Sequence, residues 1–141
     1  MTIARRTRER LLGALVATTL AFAATTTTVL PAEAQAAERI IGRWVGMVQQ
    51  DGFDPYRVRV RIFRNDAGVL QGRLAYPNCS GVWKFRKREY GWTKFTEIIR
   101  EDPGEVSCVP RLGVKVKRVD ARLRIVWTYE GQTATSLARR P

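Results

Sequence analysis

The chain has 141 residues, of which 25 are lysine or arginine, 13 are aspartate or glutamate and none is histidine, for a formal charge of +12. The lack of histidine removes the commonest general base and metal ligand. A positive excess of this size makes anionic partners the natural ones.

Residues 1–10, "MTIARRTRER", carry Arg5, Arg6, Arg8 and Arg10 and precede an apolar run over 11–24. A basic stretch, a short apolar run and a small-residue cleavage segment make an export signal, here residues 1–36, with "AEA" at 32–34 or "AQA" at 34–36 as the last part. Cleavage is expected after Ala34 or Ala36. An uncleaved anchor over 11–30 is the alternative, but Thr18, Thr19 and the threonines at 25–28 dilute it. The Arg5-Arg6 pair lacks the apolar residue that follows in folded-export signals, so the general secretory route is expected. No cysteine near the cleavage segment offers a lipid attachment point.

Removing residues 1–36 takes away four basic and two acidic residues, leaving 21 and 11, a mature charge of about +10. Residues 37–141 suffice for one domain with a single modest core. The only cysteines, Cys79 and Cys108, both fall there, and in an oxidising compartment two thiols most simply form one bridge. Closing such a loop stabilises a fold by about 3–4 kcal/mol in the chain-entropy model. A zinc pair is the weaker reading, with no histidine to complete the ligands.

From Arg39 onward the chain alternates strand-like runs with turn signals, without helical period. Runs at 39–50, 56–64, 69–76, 82–88, 93–101, 112–119, 122–130 and 133–140 predict eight strands. The separators include "DGFDP", "NDAG", "PNCSG" and "EYGW". Short connections favour sequential antiparallel neighbours, and eight meandering strands can close into a barrel that leaves no free edge. An open sandwich is the alternative.

The strand over 56–64, "YRVRVRIFR", is written in two alphabets: Tyr56, Val58, Val60 and Ile62 on one face, Arg57, Arg59 and Arg61 on the other. Alternation places the apolar set inside and the basic set outside. Arg73, Lys115, Lys117, Arg122 and Arg124 lie outside on the same rule, opposite inward Leu70, Leu74, Val114, Val116, Leu123 and Ile125. The strand over 82–88 is ambiguous, because Trp83 and Phe85 oppose Lys84, Arg86 and Arg88 while Val82 shares the basic side. One reading is a solvated, aggregation-resistant exterior. The other is a continuous patch for a polyanion. Basic and aromatic residues interleave only near 82–92, so sequence-specific nucleic-acid binding is not expected.

Two charged residues break the alternation. Glu97 shares parity with Phe95 and Ile99, and Arg139 shares parity with Leu137. Both are therefore expected inside, either paired there or offered to a ligand, since a buried charge is costly alone.

Gly42 and Trp44 form a G-x-W on the opening strand, with a basic residue on the closing one. This resembles the feature shared by the calycins, the superfamily of lipocalins, fatty-acid-binding proteins and avidins. There the indole packs under the arginine at one end of the barrel, so the likeness implies that Trp44 and Arg139 are structural. A closer resemblance spans nearly all of the mature chain. Gly42, Trp44 and Gly46, then Tyr76, Pro77, Cys79 and Gly81, then Glu97 with Ile98, Cys108, and a closing Leu137 and Arg139 make the chain similar to a small exported actinobacterial domain. That domain occurs alone or at the extracytoplasmic end of membrane-spanning serine/threonine kinases. The likeness implies its fold and location, and suggests sensing or ligand binding.

Catalysis is not expected. Ser80 in "NCSG" lacks a nucleophile-elbow pattern and belongs to the turn. Glu97 and Glu101 share a face about 13 Å apart along a strand, too far for a glycosidase pair. The expectation is a secreted, disulfide-bridged, all-β eight-stranded antiparallel up-and-down barrel of calycin type that binds without a cofactor or metal. Its ligand is either a small molecule at the barrel mouth, held by Trp44, Tyr76, Glu97, Trp127 and Tyr129, or an anionic envelope polymer on Arg57, Arg59, Arg61, Arg73, Lys115, Lys117, Arg122 and Arg124. A passive structural or inhibitory protein that docks on a partner protein is the alternative role.

Overall fold

The computed structural model describes residues 27–104 and 107–141. The basic and apolar parts of the expected export signal lie outside the described residues. Among those described, no helix is long and apolar enough to cross a membrane.

One helix, α1 (Ala32–Ile40), precedes eight strands: β1 (Gly42–Gln50), β2 (Tyr56–Arg64), β3 (Leu70–Ala75), β4 (Ser80–Glu89), β5 (Trp92–Glu101), β6 (Arg111–Val119), β7 (Arg122–Tyr129) and β8 (Gln132–Ala138). The strands form a closed antiparallel barrel in sequential order, β8 returning to β1. All eight expected strands are present, with ends within three residues of those read from the sequence.

The turns follow from backbone chemistry. Tyr90-Gly91 and Glu130-Gly131 each take two positive φ values, 50° and 76° and then 47° and 79°. Two consecutive left-handed residues match the twist of a tight hairpin, and glycine adopts the second without a Cβ clash. The Cys79–Cys108 disulfide ties the β3–β4 connection to the loop between β5 and β6. Asp102 reinforces that loop by accepting the Cys108 backbone N–H at 3.0 Å.

The interior is apolar and aromatic. Val58, Val60, Ile62, Leu70, Leu74, Val114, Val116, Leu123 and Ile125 are all buried, as the alternation requires. Trp83 occupies the centre, its ring centroid 5.4 Å from that of Phe95 and 6.4 Å from that of Trp127. Gly72 lies directly across the ladder from Trp83, and a Cβ there would sit 3.0 Å from the Trp83 side chain. The glycine is the space the indole uses.

On the ambiguous strand Trp83 is buried, Val82 is half-buried on the outer face opposite Arg73, and a β-bulge follows Phe85. Register shifts between Phe85 and Lys87, and Phe85 is 37% exposed rather than buried with Trp83. An extra residue on one strand reverses parity beyond it. Arg88 accordingly lies opposite Thr93, on the inward set of β5 near the barrel end.

The stretch read as the cleavage segment is helical. Ala32, Ala34, Ala36 and Ala37 favour helix, and Glu33 and Arg39 sit at the ends where their charges complement the helix dipole. α1 buries Ala37 and Ile40 against one end of the barrel. Ile40 accepts the Trp44 indole N–H at 2.8 Å, Glu38 pairs with Arg64 at 2.9 Å, and Arg118 donates to the Arg39 carbonyl at 3.1 Å. The helix is therefore a lid on the barrel end that holds the first residues of β1.

Candidate functional site

Two arrangements have the chemistry of a site: one inside the barrel and one on its outer wall.

Inside, the pleat of β5 turns Thr93, Phe95 and Glu97 inward, and Glu97 is 1% exposed. Its Oε2 accepts both the Trp83 and Trp127 indole N–H groups, at 2.8 and 2.9 Å. The Tyr76 hydroxyl lies 3.0 Å from each carboxylate oxygen. Among the described residues no cation pairs with Glu97. Burial pushes its carboxyl above the usual range, with the three neutral donors pulling the other way. Burial, then the nearby Glu97 charge, pushes the Tyr76 hydroxyl up as well.

This geometry divides the expected pocket residues. Tyr76, Glu97 and Trp127 do meet, and Trp83, which its strand pattern marks only as core, joins them as a donor. Trp44 is buried at the α1 end and bonded to Ile40, so it does not line a mouth. Tyr129 shares the inward parity of Trp127 but stands at the end of β7, 40% exposed, and makes no contact with Glu97 among the hydrogen bonds of the described residues. Glu97 and its three donors satisfy one another's hydrogen bonds in the interior.

Arg139 also departs from expectation. It is exposed, and Leu137 beside it is 48% exposed. The inward residues of β8 are Ala134, Ser136 and Ala138. Parity then carries Arg140 to the barrel end, where its guanidinium stands 4.2 Å from the Trp44 ring centroid. Arg118 approaches the same ring at 5.0 Å. The arginine over the buried tryptophan is Arg140, one position beyond the residue named from the sequence.

On the outer wall the register lines up like charges. Arg43 pairs with Arg61, and Arg61 pairs with Arg73, giving one row across β1, β2 and β3. Directly opposed side chains stand about 4.5–5.5 Å apart at Cβ, and like charges so placed destabilise a sheet. Phe63 steadies the row, with the Arg61 and Arg73 guanidinium carbons 5.7 and 5.6 Å from its centroid. Arg43, Arg59, Arg61 and Arg73 line a groove of about 370 Å³. Among the described residues none of these four has a salt-bridge partner.

The eight basic residues expected to form one patch occupy two faces. Arg57, Arg59, Arg61 and Arg73 lie on β2 and β3, whereas Lys115, Lys117, Arg122 and Arg124 lie on β6 and β7, across the ring. On the second face Lys115 and Lys117 are half-buried against Trp92, 4.8 and 4.6 Å from its centroid. Nearby Lys87 and Lys94 share the one carboxylate of Glu89, whose carboxyl their hydrogen bonds hold down at about 2. The β1–β3 face is thus the more available one. Arg43, absent from the expected set, belongs to it, and its alternation with buried Trp44 is the sequence signal that marks it.

Comparison of the chain with protein-family models, with curated proteins and with solved structures returns no match.

Proposed function

We propose that the protein is a secreted, non-catalytic binding module that holds an anionic cell-envelope polymer on the outer wall of β1, β2 and β3. The observation that carries this reading is the Arg43–Arg61–Arg73 row, set beside Arg59 and lacking carboxylate partners among the described residues. Such a row costs stability when empty and gains from any ligand that supplies closely spaced anions. Guanidinium groups suit phosphate because they can donate two parallel hydrogen bonds. Neutralising several phosphates releases condensed counterions, so affinity falls steeply with salt. Export is supported by the basic-apolar-small pattern of residues 1–36 and by the Cys79–Cys108 bridge. A calycin likeness is supported by the buried Trp44 under a terminal arginine, now Arg140.

The test is retention of the mature protein on an immobilised phosphodiester polymer across a salt series, with a neutral polysaccharide as control. Arg59, Arg61 and Arg73 changed together to Ser should weaken retention and flatten the log–log salt slope by about 0.7–0.9 for each phosphate no longer neutralised. Unchanged retention with an unchanged slope in that variant would remove the reading.

A further inference from the structure

We infer a second ligand site on the seam where the barrel closes, a groove between β1 and β8 that takes an anionic amphiphile, an acyl or alkyl chain with an acidic head. It is independent of the arginine row.

At the seam the ladder between β1 and β8 is interrupted in mid-strand. Val45 and Arg139 exchange both backbone hydrogen bonds, at 2.8 and 2.9 Å. Pairing resumes only at Gln49 with Thr135 and Gln50 with Ala134, on the same register. Met47 and Leu137 therefore face each other across a stretch where the ladder makes no pair. Backbone groups released from a ladder need other partners. On the inner side of this gap the Ser136 hydroxyl is buried and has no hydrogen-bond partner.

Over the gap lies a groove of about 650 Å³, within the size range of small-molecule clefts. Its middle is apolar: Val45 with Met47 and Leu137, the last two each 48% exposed. Its cations gather toward one end. Arg139 follows β8, and Arg122 begins β7 one step beyond the Leu123 to Ala138 pair, so both border the groove at the α1 end. Arg57 flanks the middle, opposite Met47, while Gln49 closes the far end. Among the described residues Arg57, Arg122 and Arg139 have no salt-bridge partner. An apolar strip with a cationic end is complementary to a chain with an anionic head. A neutral chain would leave the guanidinium groups unused, and a bare anion would leave Met47 and Leu137 in water.

The probe is decyl phosphate, titrated calorimetrically below its micelle concentration into the mature protein, with decyl maltoside and inorganic phosphate as controls. Decyl phosphate is expected to bind at least tenfold more tightly than either control. Arg122 and Arg139 changed together to Ser should weaken it at least tenfold, and Met47→Gln with Leu137→Gln should weaken it similarly. All four side chains are exposed, so a matching melting temperature confirms that these variants fold. Arg59, Arg61 and Arg73 changed to Ser should leave decyl phosphate binding unaltered while lowering polymer retention, which separates the two sites. Equal binding of the maltoside, full binding by the Arg122/Arg139 variant, or a concentration-dependent dimer that decyl phosphate fails to dissociate would each overturn the inference.

Discussion

The Arg140 guanidinium lies 4.2 Å from the centroid of the Trp44 ring, and its Nη2 donates to the Ile41 carbonyl at 3.0 Å. One side chain thus covers a buried indole and ties the chain's last residues to the entry of β1. Truncating it removes a cation–π contact and a hydrogen bond to the backbone. Arg140→Ala is expected to lower stability by about 1–2 kcal/mol. Arg139→Ala, on an exposed side chain, should change it by no more than about 0.5 kcal/mol. Parallel urea titrations decide the matter, and equal losses would reassign the cover.

Glu97 joins three donors in the core, so the size of its substitution matters more than its charge. A glutamine carbonyl can still accept from both indoles, whereas alanine leaves three donors unmet and a void. Glu97→Ala is expected to cost about 3–5 kcal/mol and Glu97→Gln far less. The pH dependence carries a definite sign. Because burial raises the folded-state value of Glu97, the folded chain holds its proton more tightly than the unfolded chain does. The resulting stability is complete below the ordinary glutamate value of about 4.3 and is lost as pH rises through the higher folded value. Glu97→Gln lacks this loss. Its melting temperature relative to the parent should therefore climb as pH rises above the ordinary glutamate value, and a constant difference would contradict the assignment.

The helix over the barrel end makes a prediction about processing. Cleavage after Ala34 or Ala36 leaves Gln35 or Ala37 first, and in either case retains the buried Ala37 and Ile40. Intact mass of the exported protein should show one of these two starts. Ile40→Ala is expected to cost about 2–4 kcal/mol, because Ile40 is 2% exposed against Trp44 and the core. A mature chain beginning beyond Ile40 that is equally stable would show that the lid is dispensable.

Replacing Cys79 and Cys108 with Ser removes the only bridge among the described residues. In the chain-entropy model the loss is about 3–4 kcal/mol. Denaturant unfolding of the parent with and without a reductant provides the same comparison without mutation. A midpoint indifferent to reduction would mean that the reduced ensemble is already as constrained.

The barrel was legible because each strand of a one-sided sheet repeats every two residues. Residues 56–64 show this most plainly, and β2 runs from Tyr56 to Arg64 as read. Glycines after a polar or aromatic residue, at Tyr90-Gly91 and Glu130-Gly131, marked hairpins for a local reason. Parity misled where local hydrophobicity and burial part company. On β8 the exposed Leu137 looks like a core residue, while Ala134, Ser136 and Ala138 do not, yet the small residues are inside, opposite the large Trp127, Ile125 and Leu123. Ala134 stands directly across from Trp127. Volume complementarity between strands sets that choice, and a single strand does not contain it.

The amino-acid sequence by itself determined the strand count, the turns, the cysteine pairing and the sign of the exterior, because each depends on neighbours along the chain or on composition. Tertiary structure decided which charges meet. Closing the ring set Arg43, Arg61 and Arg73 side by side, separated them from Lys115 and Lys117, and left Met47 opposite Leu137 at the seam. Those relationships are matters of register between strands, fixed by how eight faces pack around three buried indoles and one carboxylate.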